Sequence, residues 1–304
     1  MRWQSKCFID ACKGVVPFKD RLRSLKYRVA PFTPDAGKDA YTIEQGLAQV
    51  DWIRSLIPIE GASLLEIGSG WQPIVPVLFS LAGAARVYLT DVNRLCVPAS
   101  FHAALGSVRK HKRTILDRLG ISETSFGRAL ACDAAMPLEE AFERLRFEYL
   151  APCDCRSLPL RDGSVDAVSS RAVLEHIPAP VIEAIFAESY RLLKQGGAVC
   201  HVIDNSDHWQ HRDKSISKVN FLKFSDPIFR WTCLNSLNYQ NRLRHPEYIG
   251  MLRDAGFAVI RERRQIDPEA VRALQTLRLA ARFRQFTPED LASVSSSILA
   301  QKAS

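Results

Sequence analysis

The stretch from Ser63 to Asn93, SLLEIGSGWQPIVPVLFSLAGAARVYLTDVN, constrains the chain more than any other. Its first apolar run, Leu64–Ile67, is short and closes on Gly68-Ser69-Gly70, as a strand buried on both faces should. The two glycines let the backbone turn sharply and approach a ligand with no Cβ in the way. Pro73 stands where a helix can begin, because its missing N–H would have no partner there in any case. Gly83 supplies the stop. A second apolar run, Arg86–Thr90, ends on Asp91. An acid about 20 residues beyond such a turn is where a doubly wound fold grips a ribose hydroxyl. A dinucleotide loop would want a third glycine at position 73, and this chain has proline there.

The alternation continues along the chain. Thr42-Ile-Glu-Gln45 has the form of a capping box, and Ile43, Leu47, Val50, Ile53 and Ile57 recur at helical spacing until Pro58 and Gly61. Arg94–Phe147 carries helical patterns and many charges and is too long for a plain crossover, so it is expected to be an insertion able to cover a site. A strand is expected near Glu148–Pro152, ending on Cys153-Asp154, and a buried one at Val165–Ser170. Ala179-Pro180 opens an amphipathic helix that Gly196-Gly197 stops, and Ala198–Ile203 follows as a buried strand. Asn205–Arg244 is polar, aromatic and basic without a period. Pro246–Ala255 is expected to be a helix, Phe257–Arg261 a strand, and Asp267 and Thr287 helix caps, the first helix running through Arg278. Strand–helix–strand alternation of this kind argues for a parallel sheet with helices on both faces.

Glu66-x-Gly68-x-Gly70, strand, Asp91 resembles the class I S-adenosylmethionine-dependent methyltransferases, in particular the type-11 domain. Three further blocks extend the resemblance: Ser164-Val-Asp-Ala-Val168 followed by Val173-Leu-Glu-His-Ile177, then Glu188 to Gly197, then Tyr248–Phe257. A glycine often found in the family at the position of Gln72 is absent. The resemblance implies a doubly wound, mostly parallel seven-stranded sheet with helical insertions. The methyltransferase domain would span residues 41–304, after a basic segment 1–40, with insertions at about 94–147 and 205–244. Ser296–Gln301 would be the reversed seventh strand, although its residues by themselves fit a helix nearly as well. The cofactor implied is S-adenosylmethionine, bound by Glu66, Gly68, Ser69, Gly70, Trp71, Asp91, Val92, Cys153, Asp154, Ser170 and Arg171, with Asp154 on the adenine amine.

Methyl transfer is an in-line displacement at a sulfonium carbon, so the protein mainly binds, orients and excludes water. A hydroxyl acceptor must also lose a proton, which is work for a histidine. His208 and His176 are the candidate bases, with His211 nearby, because each follows a strand where open α/β sheets bind ligands. Asp207 is the expected assistant of His208. Tyr190-x-x-x-Lys194 matches a dehydrogenase signature, yet Tyr190 belongs to a helix's apolar stripe. The alternatives are an NAD(P)-dependent Rossmann-fold oxidoreductase, which tight NADH binding would reveal, and a non-catalytic nucleotide-binding module, which turnover would exclude.

The chain carries 41 Lys and Arg against 33 Asp and Glu, a net charge of +8, and residues 1–38 hold nine of those cations against three Asp. Within residues 8–28, Leu22, Leu25 and Tyr27 interleave with Arg21, Lys26 and Arg28. That pattern fits a solvated face or a helix on an anionic membrane, and fits nucleic acid less well. Eight cysteines form no regular framework and no zinc-type spacing, so reduced thiols and no metal are expected. No apolar run approaches the roughly 20 residues of a membrane span, and Lys6, Asp10 and Lys13 interrupt any signal-like apolar region. The expectation is a cytoplasmic protein, peripheral at the inner membrane face through its basic segment, that methylates O, N or C of a small-molecule or lipid- or sugar-linked acceptor; the basic wall expected from 205–244 with 94–147 suggests an anionic one.

Overall fold

The computed structural model describes residues 36–133, 136–232 and 239–303. The membrane-facing helix expected within residues 8–28 lies outside the described residues. Among these, no helix is long and apolar enough to cross a membrane.

Seven strands form one sheet: β1 (Ser63–Ile67), β2 (Arg86–Thr90), β3 (Phe147–Tyr149), β4 (Val165–Arg171), β5 (Leu193–Asp204), β6 (Phe257–Ile266) and β7 (Ser293–Lys302). Their order is β3-β2-β1-β4-β5-β7-β6. The first five pair in parallel. β7 runs antiparallel to both β5 and β6, the reversal expected of the last strand. Side chains alternate between two cores, as strand geometry requires. Leu64, Val87, Leu89, Ala167 and Cys200 face one core, together with Ile43, Leu47, Val50 and Ile53 of helix α1 (Ala36–Arg54) and the apolar helix α2 (Ile74–Leu81). Leu65, Ile67, Val168, Val199 and Ile203 face the other. That second core takes Ile182, Ile185 and Phe186 from α3 (Ala179–Leu192), and Tyr248, Ile249 and Leu252 from α4 (His245–Asp254).

Several boundaries differ from expectation for local reasons. Helix α1 already includes Ala36, so Thr42 lies inside it; the Thr42 Oγ1 donates to the Lys38 carbonyl one turn back, at 2.8 Å, instead of capping. Helix α3 ends at Leu192, before the double glycine. Leu193 pairs with Val165, the next pair is Ala198 with Ala167, and residues 194–197 bulge between them. The glycines serve that bulge: a Cβ on Gly197 would meet the Lys194 and Asp166 carbonyl oxygens at 2.9 and 3.0 Å. β6 continues past Arg261 to Ile266, and the helix that Asp267 caps, Pro268–Leu274, stops before Arg278. Thr287 caps the helix Pro288–Ala292 by accepting from the Asp290 N–H.

The two long connections behave differently from the strands' neighbours. Residues 98–144 fold into four helices that lay Phe101, Leu105, Val108, Ile115 and Phe142 into the core beneath α1 and α2. Residues 219–229 build a third core with Ala270, Phe283, Leu291 and Val294. Two cations of the expected basic wall are buried in this region. The Arg242 guanidinium stacks 3.9 Å over the Phe229 ring and donates to the Phe221 carbonyl, and Arg244 donates to the Asn205 carbonyl at 2.7 Å. Burial of such groups is tolerable because carbonyls accept their hydrogen bonds and, for Arg242, because the Asp226 carboxylate pairs with it at 2.6 Å.

Gly256 and Gly250 offer a matched test of backbone geometry. Gly256 has φ +95 and a Cβ there would sit 3.0 Å from the Tyr190 ring, whereas Gly250, inside α4, has nothing within 4 Å of that position. Gly256→Ala is expected to lower stability by roughly 1–3 kcal/mol. Gly250→Ala should raise it by about 0.5–1 kcal/mol. Denaturant midpoints at unchanged slope are the measurement.

Candidate functional site

β1 ends in a turn whose two glycines both adopt left-handed backbone, φ +71 at Gly68 and +63 at Gly70. The turn is tied to the end of β2. Ser69 N–H donates to the Thr90 carbonyl at 2.9 Å, and Gly70 N–H donates to Asp91 Oδ2 at 3.1 Å. A Cβ on Gly68 would lie 2.6 Å from Val173, so any side chain there collides with the loop that follows β4. Ser69 Oγ and Gln72 Nε2 are buried beside this turn without hydrogen-bond partners. Burial raises the Asp91 carboxyl, and the N–H groups of Asn93, Gly70 and Val92 oppose that shift. The Val92 side chain beside it is exposed and Trp71 is half-buried.

Strand parity sorts the remaining expected residues. Glu66 shares the α1 face with Ser169 and Arg171. Ser169 Oγ donates to the Glu66 carboxyl, and Arg171 Nε donates to Gln45 Oε1 of α1 at 2.7 Å. Burial pushes Glu66 up to about 7, with Ser169 and Arg171 opposing. Ser170 points the other way. Its hydroxyl lies 2.8 Å from His201 Nδ1, fully buried beside Phe186, and burial holds that imidazole down at about 3. The structure therefore brings Glu66, Gly68, Ser69, Gly70, Asp91 and Arg171 to one edge and leaves the Ser170 side chain across the sheet. Cys153 joins them through its N–H, which donates to the Asp91 carbonyl at 2.9 Å. Asp154 faces solvent, and its carboxylate is taken by Arg156 at 2.6 Å, which holds it down at about 2.

Beyond β4 the chain turns at Ala172, itself left-handed with φ +53, and forms a short 3₁₀ turn over Leu174–His176. His176 and His208 stand 5.0 Å apart, and His211 lies 5.1 Å beyond His208. The acid beside His208 is Asp204, 3.5 Å from its Nε2, not the expected Asp207. Asp207 is buried facing the other way, where its carboxylate receives the Trp209 N–H, and burial pushes it up to about 6. Burial would raise Asp204 as well, but His208 and Ser206 more than offset it and hold it at about 2. Sequence reading missed Asp204 and Glu175; the usable signal was the position of each at the carboxyl end of a strand. Glu175 is buried next to His176, and burial pushes its carboxyl up to about 8.

Residues 239–241 clamp this cluster. The Tyr239 carbonyl lies 2.9 Å from His176 Nδ1, Gln240 donates to the Ser206 carbonyl, and Asn241 Nδ2 donates to the Leu174 and Ile177 carbonyls at 2.7 and 2.8 Å. Asn241 Oδ1 in turn accepts from Tyr248 Oη at 3.1 Å. Beside the cluster opens a cavity of about 430 Å³ between α1 and the ends of β4, β5 and β7. Lys38, Tyr41, Arg171, Asp204, His211 and Lys218 are among its lining residues. Residues 98–144 contribute none, since their apolar faces are committed to the core.

A five-stranded parallel sheet extended by a reversed seventh strand, with a glycine turn after the first strand and an acid after the second, is the arrangement expected above from the resemblance to class I S-adenosylmethionine-dependent methyltransferases. A family model described as a methyltransferase domain, of type 11, matches residues 121–201. Solved structures with a similar fold include an S-adenosylmethionine-dependent methyltransferase from Mesorhizobium loti, 14% identical over 86% of this chain and 100% of that one, TM-score 0.46. Another is the magnesium protoporphyrin IX methyltransferase of Synechocystis PCC 6803, 13% identical over 93% and 94%, TM-score 0.48. A third is a phosphoethanolamine N-methyltransferase of Haemonchus contortus, 18% identical over 86% and 53%, TM-score 0.46. No curated protein sequence matches the chain.

Two measurements probe this edge. Replacing Asp91 by Ala removes a charged acceptor of hydrogen bonds, worth on the order of 1.5–3 kcal/mol. Calorimetry should then show S-adenosylmethionine binding at least about tenfold more weakly. Glu66 titrates near 7 in the folded chain against 4.5 in the unfolded one. Between those values the folded state keeps a proton that the unfolded state releases, so the contribution of Glu66 to stability falls as pH rises through that window. Relative to wild type, Glu66→Gln should gain up to ~3 kcal/mol between pH 4.5 and 7 and nothing further above it. Denaturant unfolding at several pH values checks this.

Proposed function

We propose that the enzyme methylates a small anionic molecule seated in the cavity beside α1. The observation that carries this reading is the cavity's cationic lining: Arg171, Lys38 and Lys218 border a space of about 430 Å³ that Asp204 also lines. Glu66 and the glycine turn would hold the methionine half of the cofactor, Asp91 its ribose, and the chain at Cys153 and Asp154 its adenine. The unpartnered Ser69 Oγ and Gln72 Nε2 fit a ligand carrying its own donors and acceptors. The cofactor supplies an activated methyl on a positively charged sulfur.

The residues of this chain bind, orient and exclude water around that methyl. Bound there, the cofactor would supply its methyl to the acceptor's electron pair and keep the carbon–sulfur pair as a neutral thioether. A hydroxyl acceptor's proton would leave toward Asp204, which lines the cavity, and the His208 and His176 rings behind it.

The deciding experiment incubates the full chain with cofactor labelled in its methyl group and a metabolite extract, then identifies the labelled product by mass spectrometry. Label is expected on an acidic small molecule, and Arg171→Ala should reduce labelling by more than tenfold. Label appearing only on protein or RNA would overturn the reading.

A further inference from the structure

Glu175, His176 and His208 share a property that the handling of an acceptor proton does not require. Each offers one ligand atom, and the three atoms lie within 4.8 Å of one another. Glu175 is only 2% exposed, yet neither of its carboxylate oxygens has a hydrogen-bond partner. The His208 Nε2 is likewise buried without one. A buried carboxyl with neither oxygen bonded is a costly arrangement, which a cation displacing its proton would relieve. No cationic side chain is hydrogen-bonded to it among the described residues.

We infer that Glu175, His176 and His208 form a binding site for one divalent transition-metal ion. Two imidazoles and one carboxylate suit zinc, manganese, iron or cobalt, and suit magnesium or calcium poorly. Three protein ligands would leave at least one coordination position free for water or a substrate oxygen. The tautomer of His176 favours ligation: its Nδ1 lies 2.9 Å from the Tyr239 carbonyl, so that nitrogen carries the hydrogen and Nε2 presents its lone pair. Asp204 lies 3.5 Å from His208 Nε2, at the edge of the same cluster. The clamp at residues 239–241 holds both ligand-bearing loops together, through Asn241 on the 174–177 turn and through Gln240 on Ser206. Such support from neighbouring groups is what fixes ligands in place before an ion arrives.

The sequence alone suggested no metal, because its two adjacent ligands sit in one loop and the third in another, at no recognised spacing. The inference deepens the reading above, since an ion there would lower the pKa of a bound acceptor hydroxyl. It rests on that reading for this consequence only; ion binding itself rests on the geometry of the three side chains.

The test uses full-length protein without a histidine tag, stripped by chelator and titrated with Co²⁺, with visible absorption as the readout and Zn²⁺ as competitor. One Co²⁺ per chain is expected, displaced by Zn²⁺. Glu175→Gln and His208→Ala should each weaken binding at least tenfold, while His111→Ala, which alters an imidazole bonded to the Ser107 carbonyl, should leave it unchanged. Absence of one-to-one binding, or binding that both site variants retain, would overturn the assignment. Should a variant fail to fold, chemical modification of histidines in the wild-type chain decides the question. One equivalent of Zn²⁺ must protect His176 and His208 and leave His111 reactive; equal labelling with and without Zn²⁺ refutes the site. Cofactor affinity, measured separately, reports on the methyltransferase reading and is independent of either result.

Discussion

The alternation of side chains along β4 is the constraint on which the site depends. β4 lies in the middle of the sheet with helices on both faces, so each residue must go to one core or the other. Ser169 and Arg171 go toward α1, where one bonds the Glu66 carboxyl and the other reaches Gln45. Ser170 goes the opposite way and pairs with His201. A slip of one residue would exchange these sets, placing a guanidinium in an apolar core and a serine beneath the glycine turn. The strand then releases the chain at a left-handed Ala172, and Val173 closes against Gly68. One strand thus sets both the floor of the cofactor edge and the path of the loop that bears Glu175 and His176.

Much of the architecture was legible because strands buried on both faces leave short apolar runs bounded by glycine. β2 was read to the residue, and the reversed β7 was placed correctly though shorter than observed. Readings failed where a local signal had two physical meanings. A threonine followed by glutamine reads as a helix start, but the same hydroxyl inside a helix bonds back to the preceding turn, as Thr42 does. A double glycine reads as a helix stop, but here it accommodates a bulge between Leu193 and Ala198. The site was legible where parity and turn chemistry decide it, at Glu66, the glycines and Asp91. It was not legible where partners come from distant segments. Asp204 displaced Asp207 beside His208 because four residues of spacing brought its carboxylate round to the ring, while the adjacent acid turned toward Trp209. Nothing in the local sequence marks Tyr239, Gln240 and Asn241 as the residues holding two loops together.

Charge is distributed unevenly between interior and surface. The chain is basic overall, yet its site buries several carboxyls and lets three of them, Glu66, Glu175 and Asp207, rise far above their ordinary range. Asp204 lies among the same groups and stays ionised, because it has hydrogen-bonded company from Ser206 and a ring close by. Burial alone therefore does not decide protonation; the nearest donors do. The two halves of the site, glycine turn and histidine cluster, meet at Val173, whose side chain touches the first and whose loop supplies the second.

The position of β7 also bears on how the chain acquires its shape. β7 is inserted between two strands that both precede it, pairing Asp204 with Ser295 and Phe257 with Lys302. Until it arrives, β5 and β6 have no partner for those edges, and the third core lacks Val294. Contacts between segments so far apart along the chain form late, since closing the intervening loops costs entropy before any pairing repays it. The parallel half, β3-β2-β1-β4-β5, needs no such wait. Growth of the molecule would therefore proceed from the parallel half outward, with the cavity's outer wall completed last, and an unfinished chain would expose a bare strand edge of the kind that other chains can capture.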